Sequence, residues 1–347
     1  MKKLKKHRPH TGGLWVLLVC IYSVALPHSP AYGRPVKVNV GVRGYLPEIA
    51  FHIGKEKGHF RKEGLDVRLV PVRGGVGPVI NTLANGTVDV FPVSFSTNLV
   101  GLMRESGIKI VAGYAQHVKG MPSSSACLVR KDLSGKIKTF ADLRGRIIAI
   151  PAAGTPNHIS LLQKLAKAGL TENDFTSKSV EHNMLPAMLA KKEIDISVVV
   201  EPLMSQIINI GLAEVFAGTD IADETMPVSV LCYSRRFMKN EQAAGRFMVA
   251  VLRSVREFYR AAPEQINDIA IKIWGMPIDA KILSRLNIAS DGKIDTQSLM
   301  AAQEYALRKG WVKAKVNEKD FIDSSYVRYA NEVLSDEDKG RKNTRTP

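Results

Sequence analysis

The sequence predicts an α/β protein of two similar lobes, and three observations carry that prediction. Residues 79–98 read in order as the end of an apolar-periodic helix (Val79, Ile80, Leu83), a turn at Asn85-Gly86, a β-rich segment (Val88, Val90, Phe91) and a hydroxyl-rich loop. About a hundred residues later the pattern returns: residues 189–196 repeat residues 83–90 as L-A-x-x-x-[VI]-D-[VI], followed again by an apolar strand. Finally, a chain of 347 residues exceeds what one compact core usually holds.

Composition supports a folded chain, with 45% hydrophobic and 24% charged residues. The beginning differs from the rest. Lys2, Lys3, Lys5, Lys6 and Arg8 precede an apolar run over 14–26, and Pro27 and the small-residue site Ala31-Tyr32-Gly33 follow it. This is the three-part layout of a secretory signal, too short to span a bilayer, so residues 1–33 are expected to be removed and the mature chain to be extracytoplasmic. Cys20 is not expected to carry a lipid, because Val19 stands where a small residue is wanted and the apolar run continues beyond it. Losing five positive charges lowers the formal net charge from +16 to +11. The remaining Lys and Arg are interspersed with acids, without aromatic spacing, which argues against nucleic acid. Cys127 and Cys232 lie in apparent strands, and buried thiols are expected there rather than a disulfide.

The elements follow in order. Residues 36–42 alternate as a strand does, residues 48–57 suit a short helix closed by Gly58, and residues 65–70 form a second strand. The glycine-rich stretch 73–78 lacks the Lys-Ser/Thr of a phosphate loop and reads as a strand-to-helix turn. A helix over 98–105 ends at Gly107, and a strand over 108–112 leads to a loop holding Tyr114 and Gln116. In the second lobe, strands over 125–129 and 147–150 precede Gly154-Thr155-Pro156-Asn157. There Thr155 is a good N-cap and Pro156 a good first helical residue, so a helix to about residue 168 is expected, with first-turn amides that favour anions. The strand over 197–200 stops at Glu201-Pro202 and a helix starts after it, so Glu201 either faces the strand end or caps that helix. A strand over 231–234 returns to the first lobe. Helices are expected over 241–261, 264–274, 279–286, 296–309 and 321–334, and the charged residues 335–347 suggest a disordered tail.

In open α/β sheets, ligands bind beyond the carboxyl ends of the strands. That rule collects Tyr45, Ser94, Ser96, Thr97, Tyr114 and Gln116 from the first lobe, and Gly154, Thr155, Pro156, Asn157 and Glu201 from the second. The set is rich in hydroxyls and helix starts, and the chain shows no nucleophile elbow, H-E-x-x-H, C-x-x-C or P-loop, so neither catalysis nor a metal or cofactor is expected.

The ordered series Gly58-x-Phe60, Glu63-Gly64-Leu65-x-Val67, the segment 83–89, Asp142-Leu143-Arg144-Gly145-Arg146-Ile147-Ile148-Ala149, Ala168-Gly169-Leu170, Ile194-Asp195 and Glu201-Pro202 resembles the substrate-binding proteins of ABC importers. The resemblance is to the nitrate, sulfonate and taurine group, which includes relatives of thiamine-pyrimidine binding, and it spans about 36–330. It implies the two-lobed type II periplasmic binding protein fold with a helical C-terminal segment. Lobe 1 would comprise 34–122 and 236–334, and lobe 2 would comprise 123–235. A cleft would close on a sulfonate, nitrate, carboxylate or pyrimidine-like molecule by hinges near 122–125 and 234–236. A monomer would then hand the solute to a periplasm-facing permease and its ATPase. The enzyme alternative is a relative of the same fold acting on a small heterocycle or carboxylate.

Overall fold

The computed structural model describes residues 34–343 except 75, 120–123, 151–152, 218–225, 277, 279–282 and 284–285. The expected leader with Cys20, the first half of the crossing expected near 122–125 and most of the helix expected over 279–286 lie outside the described residues.

Two five-stranded sheets are built on one plan. The strands are β1 (Val36–Val42), β2 (Leu65–Pro71), β3 (Val90–Ser94), β4 (Lys109–Gly113), β5 (Gln116–His117), β6 (Ser125–Arg130), β7 (Ile147–Ile150), β8 (Thr176–Ser179), β9 (Ile196–Val200), β10 (Ala213–Ala217), β11 (Met226–Pro227) and β12 (Ser229–Tyr233). The first sheet runs β2-β1-β3-β12-β4 and the second β8-β7-β9-β6-β10. In each, three parallel strands meet an antiparallel one, β12 beside β3 and β6 beside β9, and a further antiparallel strand closes the edge. The short pair β5–β11 stands apart.

The aspartates of the repeated motif fasten equivalent strands. The Asp89 carboxylate accepts from the Asn39 amide at 2.9 Å and from Arg236 at 2.7 Å, and its own amide donates to the Asn39 carbonyl at 2.8 Å. Asp195 does the same in the second sheet, accepting from the Ile147 amide at 3.0 Å and from Arg130 at 2.9 Å, while its amide donates to the Ile147 carbonyl at 2.8 Å. The turns before them also correspond: Gly86 has φ 76° and Lys192, at the same place in the repeat, φ 59°. Both aspartates are therefore structural.

Helices cover both faces of the first sheet. On one side Val38 and Val40 pack with Phe247, Val251 and Val255 of the helix Glu241–Arg260. On the other, Phe91 and Val93 pack with Val79 and Leu83 of α1 (Val76–Ala84) and with Leu99 and Met103 of α2 (Thr97–Ser106). In the second sheet Ile148 and Val198 pack with Leu161 and Leu165 of α3 (Pro156–Lys167), and Val199 with Met204 and Ile207 of α4 (Leu203–Asn209).

Two expectations change. β12 begins at Ser229 inside the first sheet, so the return crossing precedes it rather than falling at 234–236. The charged end is helical through Asn343, because Leu334 is buried and Glu337 reaches Arg253 at 2.7 Å and Lys62 at 3.4 Å, partners far away in sequence. The expectation for the cysteines holds: Cys127 and Cys232 are buried free thiols in different sheets, opposite Val198 and Phe91.

Candidate functional site

A cavity of about 120 Å³ lies between the sheets, at the carboxyl ends of β1, β3, β7, β8 and β9. Its first-lobe wall is the loop after β1, and the Glu48 carboxylate fixes that loop. Both Glu48 oxygens accept from the Arg43 amide at 2.9 Å, and one also accepts from Gly44 at 2.7 Å and Tyr45 at 3.1 Å. Burial pushes the Glu48 carboxyl up to about 7, with the three amides and Arg43 opposing the rise. The loop turns Arg43, Tyr45 and Pro47 toward the cavity, and the Arg43 guanidinium sits 5.1 Å over the Tyr45 ring.

Tyr45 reaches across to the second lobe. Its hydroxyl lies 3.3 Å from His182 Nδ1, with the rings 5.5 Å apart. Burial, with Arg43 nearby, holds the imidazole neutral and lowers it to about 4. Glu181 lines the wall beside it.

The start of α3 supplies Thr155, Pro156, Asn157 and His158. The Thr155 hydroxyl accepts from the His158 amide at 3.4 Å, the N-cap expected from the Thr-Pro pair. His158 Nδ1 in turn accepts from the Gly154 amide at 3.0 Å, which places its proton on Nε2, and its ring stacks on Trp311 at 5.2 Å. Asn157 Oδ1 accepts from His117 Nε2 at 2.8 Å and from the Ser125 hydroxyl at 3.4 Å.

Glu201 lines the cavity and is 1% exposed. Its carboxylate accepts from the Ser205 amide at 3.1 Å and the Ser205 hydroxyl at 2.9 Å, so it also caps the first turn of α4. Its carbonyl accepts from the Leu46 amide at 3.2 Å, a backbone bond between the lobes.

Of the residues the sequence singles out, Tyr45, Ser94, Thr155, Pro156, Asn157 and Glu201 line the cavity. The others stand behind or beside it. Tyr114 is buried, donates to the Pro47 carbonyl at 2.8 Å and stacks on Phe51, so it braces the wall from the core. Gln116 pairs with Pro227 in the β5–β11 ribbon. Ser96, Thr97 and Gly154 form a seam where the lobes touch: a methyl on Gly154 would come within 3.2 Å of the Thr97 hydroxyl and 3.7 Å of the Ser96 hydroxyl. Arg43, Ser124, His158, Glu181, His182 and Ser229 line the cavity without having been singled out. The strand-end rule would have reached Glu181 and His182 had β8 been legible, but its sequence, TSKS, has no apolar alternation.

Among the described residues no group of three or more His, Cys, Asp or Glu is placed to hold a metal ion. Neither Cys127 nor Cys232 lines the cavity, although Cys127 pairs with Val198, which does, and burial raises both thiols, Cys127 to about 12.

Comparison with known proteins bears on the fold and the family. A Brucella abortus protein named as a binding protein is 28% identical over 257 residues, covering 72% of this chain and 76% of that one. Three solved structures share the fold at low identity. The alkanesulfonate-binding protein SsuA of Xanthomonas axonopodis, bound to MOPS, has a TM-score of 0.65 at 18% identity, covering 86% of this chain and 99% of that one. The periplasmic nitrate-binding protein NrtA of Synechocystis has 0.68 at 15%, covering 86% and 89%. The desulfurization enzyme DSZB has 0.61 at 13%, covering 86% and 99%. The fold is that of the type II periplasmic binding proteins. The model of the family described as NMT1/THI5 like matches residues 48–266, and the chain belongs to that family.

Proposed function

We infer that the chain is an extracytoplasmic solute-binding protein that captures a small molecule between its lobes and delivers it to an ABC permease and its ATPase. The observation that carries this reading is one buried cavity with walls from both sheets, spanned by the Tyr45–His182 contact and the Leu46–Glu201 backbone bond. A cavity of about 120 Å³ is small beside the roughly 300–1,000 Å³ of ordinary ligand pockets, so the solute is compact. The names of the Brucella relative and of the sulfonate- and nitrate-binding structures support the same class, and the basic, apolar leader supports export.

The residues taken to meet the solute are Tyr45, Ser94, Thr155, Asn157 and Glu201, joined by Arg43 and His182. Contacts made with both walls at once favour the closed form. Moving such a hinge from 1:99 to 99:1 closed needs about 5.5 kcal/mol of differential binding. DSZB shares the fold, but among the described residues the two thiols, Cys127 and Cys232, are buried and held protonated, which favours binding without turnover.

The test is a melting-temperature screen of the mature protein against sulfonates, nitrate, carboxylates, pyrimidines and small amines, followed by uptake of the labelled hit in cells lacking the gene. Saturable stabilisation and lost uptake are expected. A hit that the protein consumes, or uptake unchanged by deletion, overturns the reading.

A further inference from the structure

The loop after β1 is a ready anion site that the protein has filled itself. Three consecutive amides, those of Arg43, Gly44 and Tyr45, point at one spot, and such a nest of N–H groups attracts an anion. Glu48 occupies it at 2.7–3.1 Å through the bonds described above, and is itself 3% exposed. Among the described residues that line the cavity, carboxylates outnumber cations. Glu181 and Glu201 line it against one arginine, Arg43, whose guanidinium is engaged over the Tyr45 ring. Opposing them is the N-terminus of α3, equivalent to about half a positive charge. One full cation and about half a charge face two lining carboxylates and a third directly behind the wall. His182, held neutral, adds no positive charge.

We propose that this cleft selects a solute without net negative charge, and that Glu48 is the positioning residue that enforces the choice by occupying the amide nest of residues 43–45. The proposal rests on reading the cavity as the solute site. It departs from the expectation that the α3 start would draw an anion, because the helix end is outweighed by carboxylates. Glu48 touches the loop and not the solute: it acts by aiming Arg43 and Tyr45 and by leaving none of the three nest amides free for an incoming carboxylate, nitrate or sulfonate.

Vacating the nest tests this. At pH 8, wild-type protein is melted with methanesulfonate, benzenesulfonate, nitrate or acetate against chloride at equal ionic strength, and Glu48→Ala is melted with formate. The expected result is that none of the four anions stabilises the wild type beyond chloride, whereas formate stabilises Glu48→Ala saturably, by about 2 °C or more near 100 mM, and leaves the wild type unchanged. Saturable stabilisation of the wild type by any of the four anions overturns the selectivity, and a formate-indifferent Glu48→Ala overturns the nest. If that variant does not fold, the wild-type arm decides alone. A wild type that also ignores every neutral and cationic compound defeats the solute-binding reading instead, while the formate response still reports on the nest.

Discussion

Glu48 and His182 are buried beside the same cavity and make stability depend on pH with opposite signs. Glu48 is raised from its ordinary 4.5 to about 7, so its contribution is fully present below pH 4.5 and is lost as pH rises through about 7. His182 is lowered from 6.5 to about 4, so its contribution is present above pH 6.5 and is lost as pH falls through about 4. His52 behaves as His182 does, and His59, His117 and His158 are shifted the same way, chiefly by burial. The shifts of His182 and Glu48 each correspond to about 3 kcal/mol and offset one another, and that of His52, which is partly exposed, adds a smaller, solvent-screened amount, so the histidines together outweigh the single glutamate and acidification from pH 6.5 to 4 is net destabilising. Urea unfolding across pH 4 to 8 checks this: His182→Gln flattens the acid limb, and Glu48→Gln removes the loss of stability between pH 4.5 and 7. An unchanged acid limb in His182→Gln would show that its imidazole is not held neutral by the fold.

At the scale of elements, the repeated motif was legible because its apolar spacing, turn and aspartate are local, and the structure gives both copies the same fastening of Asp89 and Asp195. The start of α3 was legible too, since Thr155 and Pro156 report on their own backbone. What the sequence hid depends on distant partners. The strand β8 is a polar edge strand paired with β7 on one side, and the terminal helix Ser325–Asn343 is charged because its acids meet Arg253, Arg256 and Lys62. The repeat also exposes a local conflict, because Lys192 occupies the left-handed turn position that Gly86 fills in the first copy. That backbone costs a side-chain-bearing residue about 1–2 kcal/mol, partly offset by the greater unfolded entropy of glycine. Lys192→Gly is therefore expected to stabilise the protein by about 0.5–1 kcal/mol. Gly86→Ala is expected to destabilise it by at least about 1 kcal/mol, since its methyl would also meet Arg236 at 3.2 Å. Equal and opposite urea-midpoint shifts are not required, but a Lys192→Gly loss of stability would contradict the repeat. Truncation after Leu334 removes the Glu337 partner of Arg253, whose side chain is 11% exposed and keeps only its bond to Glu63 at 2.8 Å. A loss of about 1–2 kcal/mol in the same measurement is expected.

Across the whole molecule, the lobes meet through contacts of unequal worth, and the difference decides where closure can be tested. Lys309 and Glu172 pair at 2.6 Å, but both are largely exposed, so that bridge contributes little. The Gln206 amide reaches Met276 sulfur at 3.7 Å, a weak bond. Trp311 differs: it follows the helix Thr296–Arg308, whose Leu299 packs in the first lobe, yet its indole stacks on His158 of α3 and packs against the second-lobe core. Such a ring pair contributes about 0.5–1.5 kcal/mol beyond the area it buries. On the proposed reading this contact exists only in the closed form, so its loss appears in solute affinity more than in the stability of the open protein. Trp311→Ala is expected to weaken binding of the hit from the screen about tenfold, and X-ray scattering at saturating solute should still show the compact closed form. The indole itself reports the event, because closure moves it from solvent onto an imidazole, and wild-type tryptophan emission should change on binding with the same midpoint as calorimetry. Affinity unchanged in Trp311→Ala would mean that the lobes close without this contact, and the seam of Thr97 and Gly154 would then have to carry the closed state.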